Sequence, residues 1–338
     1  MSVSRRVKKL ATAVVVGGLI AIFLLDILTV LLCNRYEKRF PIPAEDFSFA
    51  GTGAGNRVHF LNTDNSDCIL LESNGRFALI DSGWGSNNPN PKSSRKGYEA
   101  RILEYIKRVA ADESGRVTLE FAQITHLHFD HAGGFPLILA DEAITVKTVY
   151  MRTLPEAQQF AHEVESWDVD EIRRRILDVA ARRGFPVEGN PPAQPFAFGA
   201  MTLQFLNVAQ QPGALLRGEN DNSIVTLVAL GGTRGLLTAD ITNLHGLERR
   251  IATQVGQVDF IKLAHHGYAG SNSAAMLRRL KPKLGIVTNG LGQIYPNVKW
   301  NLTMVSRTAL ASTVRENGLI LHLEPGGKLR LTGDLHKN

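Results

Sequence analysis

Cysteine is nearly missing from this chain of 338 residues: Cys33 and Cys68 are the only two. A disulfide-framed fold is therefore excluded, and a metal site would have to be assembled without a thiolate cluster. Low-complexity tracts and internal repeats are absent, which excludes solenoid arrays and disorder on a large scale. Nor is there a broad excess of one charge. The formal net charge is +6, but Arg5, Arg6, Lys8, Lys9, Arg35, Lys38 and Arg39, set against Asp26 and Glu37, place five of those charges in the first forty residues. The rest of the chain is close to neutral. A surface that tracks a nucleic-acid backbone carries a stronger basic excess, so nucleic acid is only weakly indicated as a partner.

The same first forty residues hold the longest apolar run. Leu10 to Cys33 is almost wholly apolar, with Asp26 its single charge, and it is long enough for a helix to cross a hydrocarbon core of about 30 Å. It exceeds the core of a cleaved signal peptide and lacks a convincing cleavage site. The expectation is a single-pass cell-membrane protein with a basic tail (1–9), an anchor (10–33) and a linker (34–55) stiffened by Phe40-Pro41-Ile42-Pro43. A single large domain (56–338) follows. The denser basic flank, Arg5 to Lys9, places the N-terminus in the cytoplasm and the domain outside it. Asp26 reads either as a functional intramembrane group or as a charge tolerated near one end of the span.

Short strands are expected at Arg57–Leu61, Cys68–Ser73 and Phe77–Ile80, then a helix over Tyr98–Ala111, where Ile102, Tyr105, Ile106 and Val109 share a face. A strand near Phe121–Thr125 leads into a histidine cluster. Residues 155–184 read as a helical insertion, either a lid over the site or a packing element. Further strands are expected at Met201–Leu206, Ile224–Leu230, Arg234–Thr238, Val258–Leu263, Leu284–Thr288, Leu319–Leu323 and Lys328–Leu331, with helices at Leu244–Thr253 and Ser271–Leu280. This rhythm of strands and helices defines a layered α/β domain.

The informative stretch is His126-Leu127-His128-Phe129-Asp130-His131-Ala132-Gly133-Gly134. In extended chain the side chains at i and i+2 point the same way, so His126 and His128 can share one cation while Asp130 and His131 turn to a second. Imidazole and carboxylate suit a borderline divalent ion, zinc first and manganese as the alternative. Gly133 and Gly134 are expected to let the backbone pass close to the metals. His59, His245, His322 and His336 lie apart and read as ordinary residues.

This run resembles the HxHxDH motif of the metallo-β-lactamase superfamily, and other landmarks follow in the family's order. Asp81, in Leu79-Ile80-Asp81-Ser82-Gly83, resembles the Asp-Gly turn that supports the histidine loop. Asp240 matches the metal-bridging aspartate, and His265 or His266 the late histidine of the second metal. Asn220-Asp221-Asn222-Ser223 together with Lys262-Leu263-Ala264-His265-His266-Gly267 is similar to the ComEC-type hydrolase domain of DNA-uptake channels, although Tyr268 stands where those domains usually have serine. The resemblance implies an αββα four-layer sandwich. It also implies two divalent ions sharing a hydroxide nucleophile, with His126 and His128 on the first, Asp130, His131 and a late histidine on the second, and Asp240 on both. Asn222 and Tyr268 are candidates for stabilising the oxyanion. The family's further histidine ligand to the first metal has only His162 as a counterpart, so water or the Asn220–Asn222 turn would complete that site. The implied substrate is an ester, first a phosphodiester in nucleic acid or an envelope polymer. A thioester or lactone is the alternative, and a tethered scaffold without chemistry is the reading from another class.

Overall fold

The computed structural model describes residues 5–42, 55–87, 96–152, 163, 166–208 and 218–335. Helix α1 (Arg5–Tyr36) contains the apolar run and extends it by about a turn at either end. Its segment Val7–Tyr36 is long and apolar enough to cross a membrane, with a mean hydropathy of 2.7. Its apolar side chains are mostly exposed.

The body is two β-sheets laid face to face. The first contains β1 (Asn56–Phe60), β2 (Ile69–Ser73), β3 (Arg76–Ile80), β4 (Val117–Ile124), β5 (Ile144–Val146), β6 (Val149–Met151) and β7 (Val187–Glu188). The second runs through β8 (Phe196–Phe198), β9 (Met201–Leu206), β10 (Val225–Leu230), β11 (Thr233–Leu237), β12 (Phe260–Lys262), β13 (Leu284–Val287) and β14 (Ala309–Ser312). The chain then returns to the first sheet with β15 (Leu319–Glu324) and β16 (Lys328–Gly333). Strand order is β16-β15-β1-β2-β3-β4-β6-β7, with β5 also on β4, in the first sheet and β14 through β8 in reverse sequence in the second. Each sheet mixes an antiparallel meander with parallel strands fed by crossovers, such as β3 with β4 and β11 with β12.

Helices cover both outer faces. On the first sheet lie α2 (Glu99–Ala110), α3 (Phe129–Ala132), α4 (Phe135–Ala140) and α5 (Val169–Arg183). On the second lie α6 (Leu247–Val255), α7 (Ala274–Leu280) and α8 (Pro296–Trp300). Three apolar cores separate the four layers. Ile102, Ile106, Leu70 and Leu79 pack beneath the first helical layer. Val58, Leu71, Phe205 and Val228 meet between the sheets. Leu236, Ile261, Ile251 and Leu277 pack under the second layer. The alternation follows from strand geometry, since neighbouring residues point to opposite faces; Leu70 and Leu71 accordingly belong to different cores. The expected αββα sandwich is the one observed.

Local rules account for most boundaries. Helix α2 buries Ile102, Tyr105, Ile106 and Val109 on one stripe. Helix α7 starts at Ser273, whose hydroxyl accepts from the Met276 N–H. Strands β5, β6, β7, β8 and β14 and helix α8 are not in the sequence reading; these five strands are only two to four residues long, too short for a periodic signal. The expected insertion is described in part, at Glu163 and from Ser166 onward, and α5 packs Val169, Ile172 and Ile176 into the outer core beside α4. Helix α5 itself is packed into the outer core. Part of the expected linker is also packed onto the body: the Phe40 N–H donates to the Leu310 carbonyl at 3.0 Å, and the Leu310 N–H to Lys38 at 2.8 Å.

Candidate metal centre

Every element of the site ends at the same rim of the sandwich. Beyond β4 come His126, His128, Asp130 and His131; beyond β3, Asp81; beyond β11, Asp240; beyond β12, His265 and His266; beyond β13, Thr288. Left-handed backbone recurs there: Asp81 (φ 55°), Ala239 (φ 49°), His265 (φ 50°) and His266 (φ 50°). Each non-glycine residue held so costs roughly 1–2 kcal/mol, and such strain concentrates where side chains are aimed for function. Without these reversals, strand alternation would send adjacent side chains to opposite faces.

Four ligand-type atoms, from Asp130, His131, Asp240 and His266, lie within 4.8 Å of one another, all buried. Asp240 Oδ2 is 3.2 Å from His131 Nε2 and 3.3 Å from His266 Nε2. Asp130 Oδ2 is 3.3 Å from His266 Nε2. Of the two late histidines, His266 is the one brought into the cluster. His265 lies 3.9 Å from Asp240, with its side chain 27% exposed.

The far nitrogens of both histidines are held from behind. His131 Nδ1 donates to Asp81 at 2.7 Å, and Asp81 also accepts from the Thr125 N–H and hydroxyl. Thr288 donates its hydroxyl to Asp67 at 2.6 Å, so its oxygen accepts from His266 Nδ1 at 3.0 Å. When both rings are neutral, each Nε2 is thereby left as a lone pair facing the other across 3.2 Å. Two facing lone pairs repel unless a proton or a cation lies between them, and second-neighbour carboxylates and hydroxyls of this kind are what orient metal-binding imidazoles. Asp130 Oδ1 is buried without a hydrogen-bond partner, a costly state for a carboxylate that cation binding would relieve. The residues present fit a divalent ion.

Charge is balanced by Asp67, which the sequence reading did not name, and by Lys262, which it named only as part of the Lys262–Gly267 segment. Lys262 is fully buried, paired with Asp67 and 3.5 Å from Asp240 Oδ1. Burial disfavours both charges, but the Lys262 ammonium and His266 hold Asp67 well below the usual carboxylate range, while Asp67 and Asp240 raise Lys262. Against the cost of burial, the carboxylates of Asp240, Asp81 and Asp130 raise His131 well above its ordinary value. Burial, then the neighbouring His131 and His128, lowers His126, which stays neutral. A lysine as the only charge in the apolar strand Phe260–Lys262 was the available signal.

His126 Nε2 and His128 Nδ1 face each other at 3.2 Å, so this pair converges as expected. It does not join the four-residue cluster, and no further histidine completes it among the described residues. His162 lies outside them. Glu163, from the insertion, is 3.4 Å from His128 Nε2, and Trp167 stacks on the His128 ring at 4.7 Å. Glu163 also accepts the Glu219 N–H, and Glu219 in turn accepts from Leu127. The segment before α5 therefore leans on the first histidine pair although α5 itself is a packing element. The Asn220–Asn222 turn sits between His126 and Asp240, with Ser223 Oγ 3.5 Å from His126 Nδ1 and accepting the Asp240 N–H. Asn222 is fully buried beside Glu219, with neither amide atom in a well-formed hydrogen bond. Tyr268 lies against His265, and its hydroxyl accepts from Asn65 at 2.9 Å.

Gly133 and Gly134 serve a close backbone crossing beside the cluster. A Cβ on Gly134 would meet the Ser82 carbonyl at 2.5 Å, and one on Gly133 would meet the Gly85 nitrogen at 2.7 Å. The four histidines set aside are elsewhere: His59 is buried between Tyr105 and Glu72, His322 pairs with Thr332, His245 lies 3.9 Å from Asp221, and His336 is outside the described residues.

Residues 61–288 match the family model described as the metallo-beta-lactamase superfamily. Among curated proteins the chain is 24% identical over 237 residues to "Recombination protein 2" of Haemophilus influenzae; the match covers 69% of this chain and 24% of that protein. The chain thus spans about a quarter of that relative's length. Among solved structures it is similar to the metallo-beta-lactamase fold protein YhfI from Bacillus subtilis, at 10% identity and TM-score 0.49 over 80% of this chain and 100% of that one. It is also similar to Zn(2+)-bound PqqB from Methylobacterium extorquens, at 12% identity and TM-score 0.45 over 76% and 87%.

Proposed function

The chain belongs to the metallo-beta-lactamase superfamily, and on that premise we propose that it is a membrane-anchored metal-dependent hydrolase acting on phosphodiester bonds. The observation that carries the hydrolase reading is the buried convergence of Asp130, His131, Asp240 and His266, with both imidazole lone pairs fixed toward one point. Bound there, a divalent ion supplies Lewis acidity and lowers the pKa of water from about 15.7 toward neutrality.

The chain's own residues do the rest. Asp130, His131, Asp240 and His266 would hold one ion, and His126 and His128 a second; the resemblance to the family would have Asp240 contribute to both. Asp81 and Thr288 fix the imidazole tautomers. Lys262 offsets the carboxylate excess and keeps Asp240 in place through its 3.5 Å contact. Asn222 offers a buried amide to an oxygen that gains charge during reaction, and Tyr268 and His265 border the more exposed side, where substrate enters. Zinc fits the donor set first and manganese second. The phosphodiester preference rests on the Asn220–Ser223 and Lys262–Gly267 segments and the likeness to Recombination protein 2. The basic flank of α1 favours a cytoplasmic N-terminus and an extracytoplasmic body.

The test uses the full chain in detergent, with elemental analysis of bound metal and hydrolysis of bis(p-nitrophenyl) phosphate beside single-stranded DNA. Metal retained by the wild type, with turnover lost about 100-fold or more in Asp130→Ala and His131→Ala, is the expected result. No bound metal and no activity sensitive to these substitutions would remove the hydrolase reading and leave a tethered scaffold.

A further inference from the structure

The mouth of the site and the end of the anchor helix are built on the same corner of the molecule. Lys299, near the end of α8, donates to Asn34 at 2.6 Å and pairs with Glu37 at 3.0 Å, both groups largely buried. Asn34 belongs to α1 and Glu37 follows it directly. One helical turn back, the Lys299 N–H donates to the Tyr295 carbonyl at 2.8 Å, and the Tyr295 N–H donates to the Gly267 carbonyl at 3.0 Å. Gly267 adjoins His266. At the other end of α8, the Asn301 amide donates to the Asn272 carbonyl at 3.2 Å. Hydrogen bonds thus run from the emerging anchor to the turn that presents the site histidines, across a helix whose pitch is about 5.4 Å.

That corner is apolar on its outside. Three of the five large apolar side chains left exposed among the described residues beyond α1 are here: Leu244 (72% exposed), Tyr295 (47%) and Trp300 (37%). Leu244 follows Asn243, whose N–H donates to the Gly270 carbonyl at 2.7 Å, so its loop hangs on the same 267–272 turn. Tyr295 packs edge-on against Tyr268 at 5.9 Å. His265, which borders the mouth of the site, is on this side, with its side chain 27% exposed. Aromatic side chains beside an apolar span are characteristic of the membrane–water interface.

We propose that the Leu244–Tyr295–Trp300 rim rests on the bilayer surface, and that the site takes the phosphodiester headgroup linkage of a membrane-resident amphiphile. The substrate class rests on the hydrolase reading above; the surface contact does not. In the reaction, a water oxygen bonds to phosphorus and the phosphorus–oxygen bond to the leaving alcohol breaks with its electron pair. The alcohol takes one of the water's protons and the phosphate monoester keeps the membrane chain. A free polymer would gain nothing from a mouth placed at the lipid surface, and the near-neutral body gives it little electrostatic pull.

The test reconstitutes the full chain in phosphatidylcholine vesicles with two matched substrates, bis(p-nitrophenyl) phosphate in solution and the p-nitrophenyl phosphodiester of diacylglycerol in the bilayer. Leu244→Asn with Trp300→Gln should leave the soluble rate unchanged and lower the bilayer rate about tenfold, as expected when interfacial apolar contacts are lost. Independently, Trp300 fluorescence should be quenched by phosphatidylcholine brominated near the carbonyl, and the quenched component should vanish in Trp300→Phe. Unquenched Trp300 would overturn the surface contact. Soluble turnover without bilayer turnover, or equal loss of both rates in the double variant, would overturn the substrate class. Loss of turnover on both substrates in the wild type would remove the hydrolase reading, while quenching would still decide the surface contact.

Discussion

Adjacent histidines differ here because each is held in a left-handed conformation that turns its side chain to a different quarter. His266 points inward to Asp130 and Asp240, and His265 stays at the rim. His266→Ala should therefore lose metal and lower kcat/KM by about 100-fold or more, while His265→Ala should keep its metal and lose about tenfold or less. Elemental analysis and steady-state kinetics together check this; equal losses would put both histidines in the cluster. A second residue-scale expectation concerns pH. Burial, then the nearby Arg330 and Arg57 charges, lowers His322 from its ordinary 6.5 to about 4. Between these values the unfolded chain holds a proton that the folded one does not. Stability from this group is therefore present above pH 6.5 and is lost as pH falls toward 4. In denaturant titrations across that window, His322→Gln should flatten the decline.

At the scale of elements, the insertion combines two jobs that substitutions separate. Ile176 is fully buried in the outer core, and Ile176→Ala should cost about 2–5 kcal/mol of stability with activity per folded molecule retained. Trp167, stacked on His128 and on Trp84, precedes α5 and touches the site. Trp167→Ala should lower turnover per folded molecule several-fold. Parallel measurement of unfolding and kinetics distinguishes the two. The periodic apolar pattern of α5 was legible in the sequence, whereas the contact of Glu163 and Trp167 with His128 was not, because it joins chain segments some forty residues apart through folding alone.

For the whole molecule, the site is where the two sheets meet, so occupancy should couple to global stability. A ligand bound only by the folded state at a hundredfold excess over its Kd adds about 2.7 kcal/mol. Chelation should accordingly lower the thermal midpoint by several degrees, restored by zinc or manganese, in the wild type but not in a Asp130→Ala variant. An unchanged midpoint would mean that the cluster does not hold an ion in the folded chain.

By itself the sequence determined the layered α/β class, the long apolar N-terminal run, most of the order of strands and helices, and the cluster His126 to His131; Asp81 and Asp240 were marked only by the family resemblance. The former are written in local pattern: period-two and period-3.6 apolar spacing, or ligand types crowded into a few residues. Only the tertiary structure decided that His266 and not His265 enters the cluster, that Lys262 and Asp67 balance its charge, and that the end of helix α1 is bonded to the body through Lys299. These depend on left-handed turns at strand ends and on contacts across hundreds of residues, such as Thr288 with Asp67 and Lys299 with Asn34. No local pattern encodes them, because each is the outcome of packing two sheets and their helices into one body.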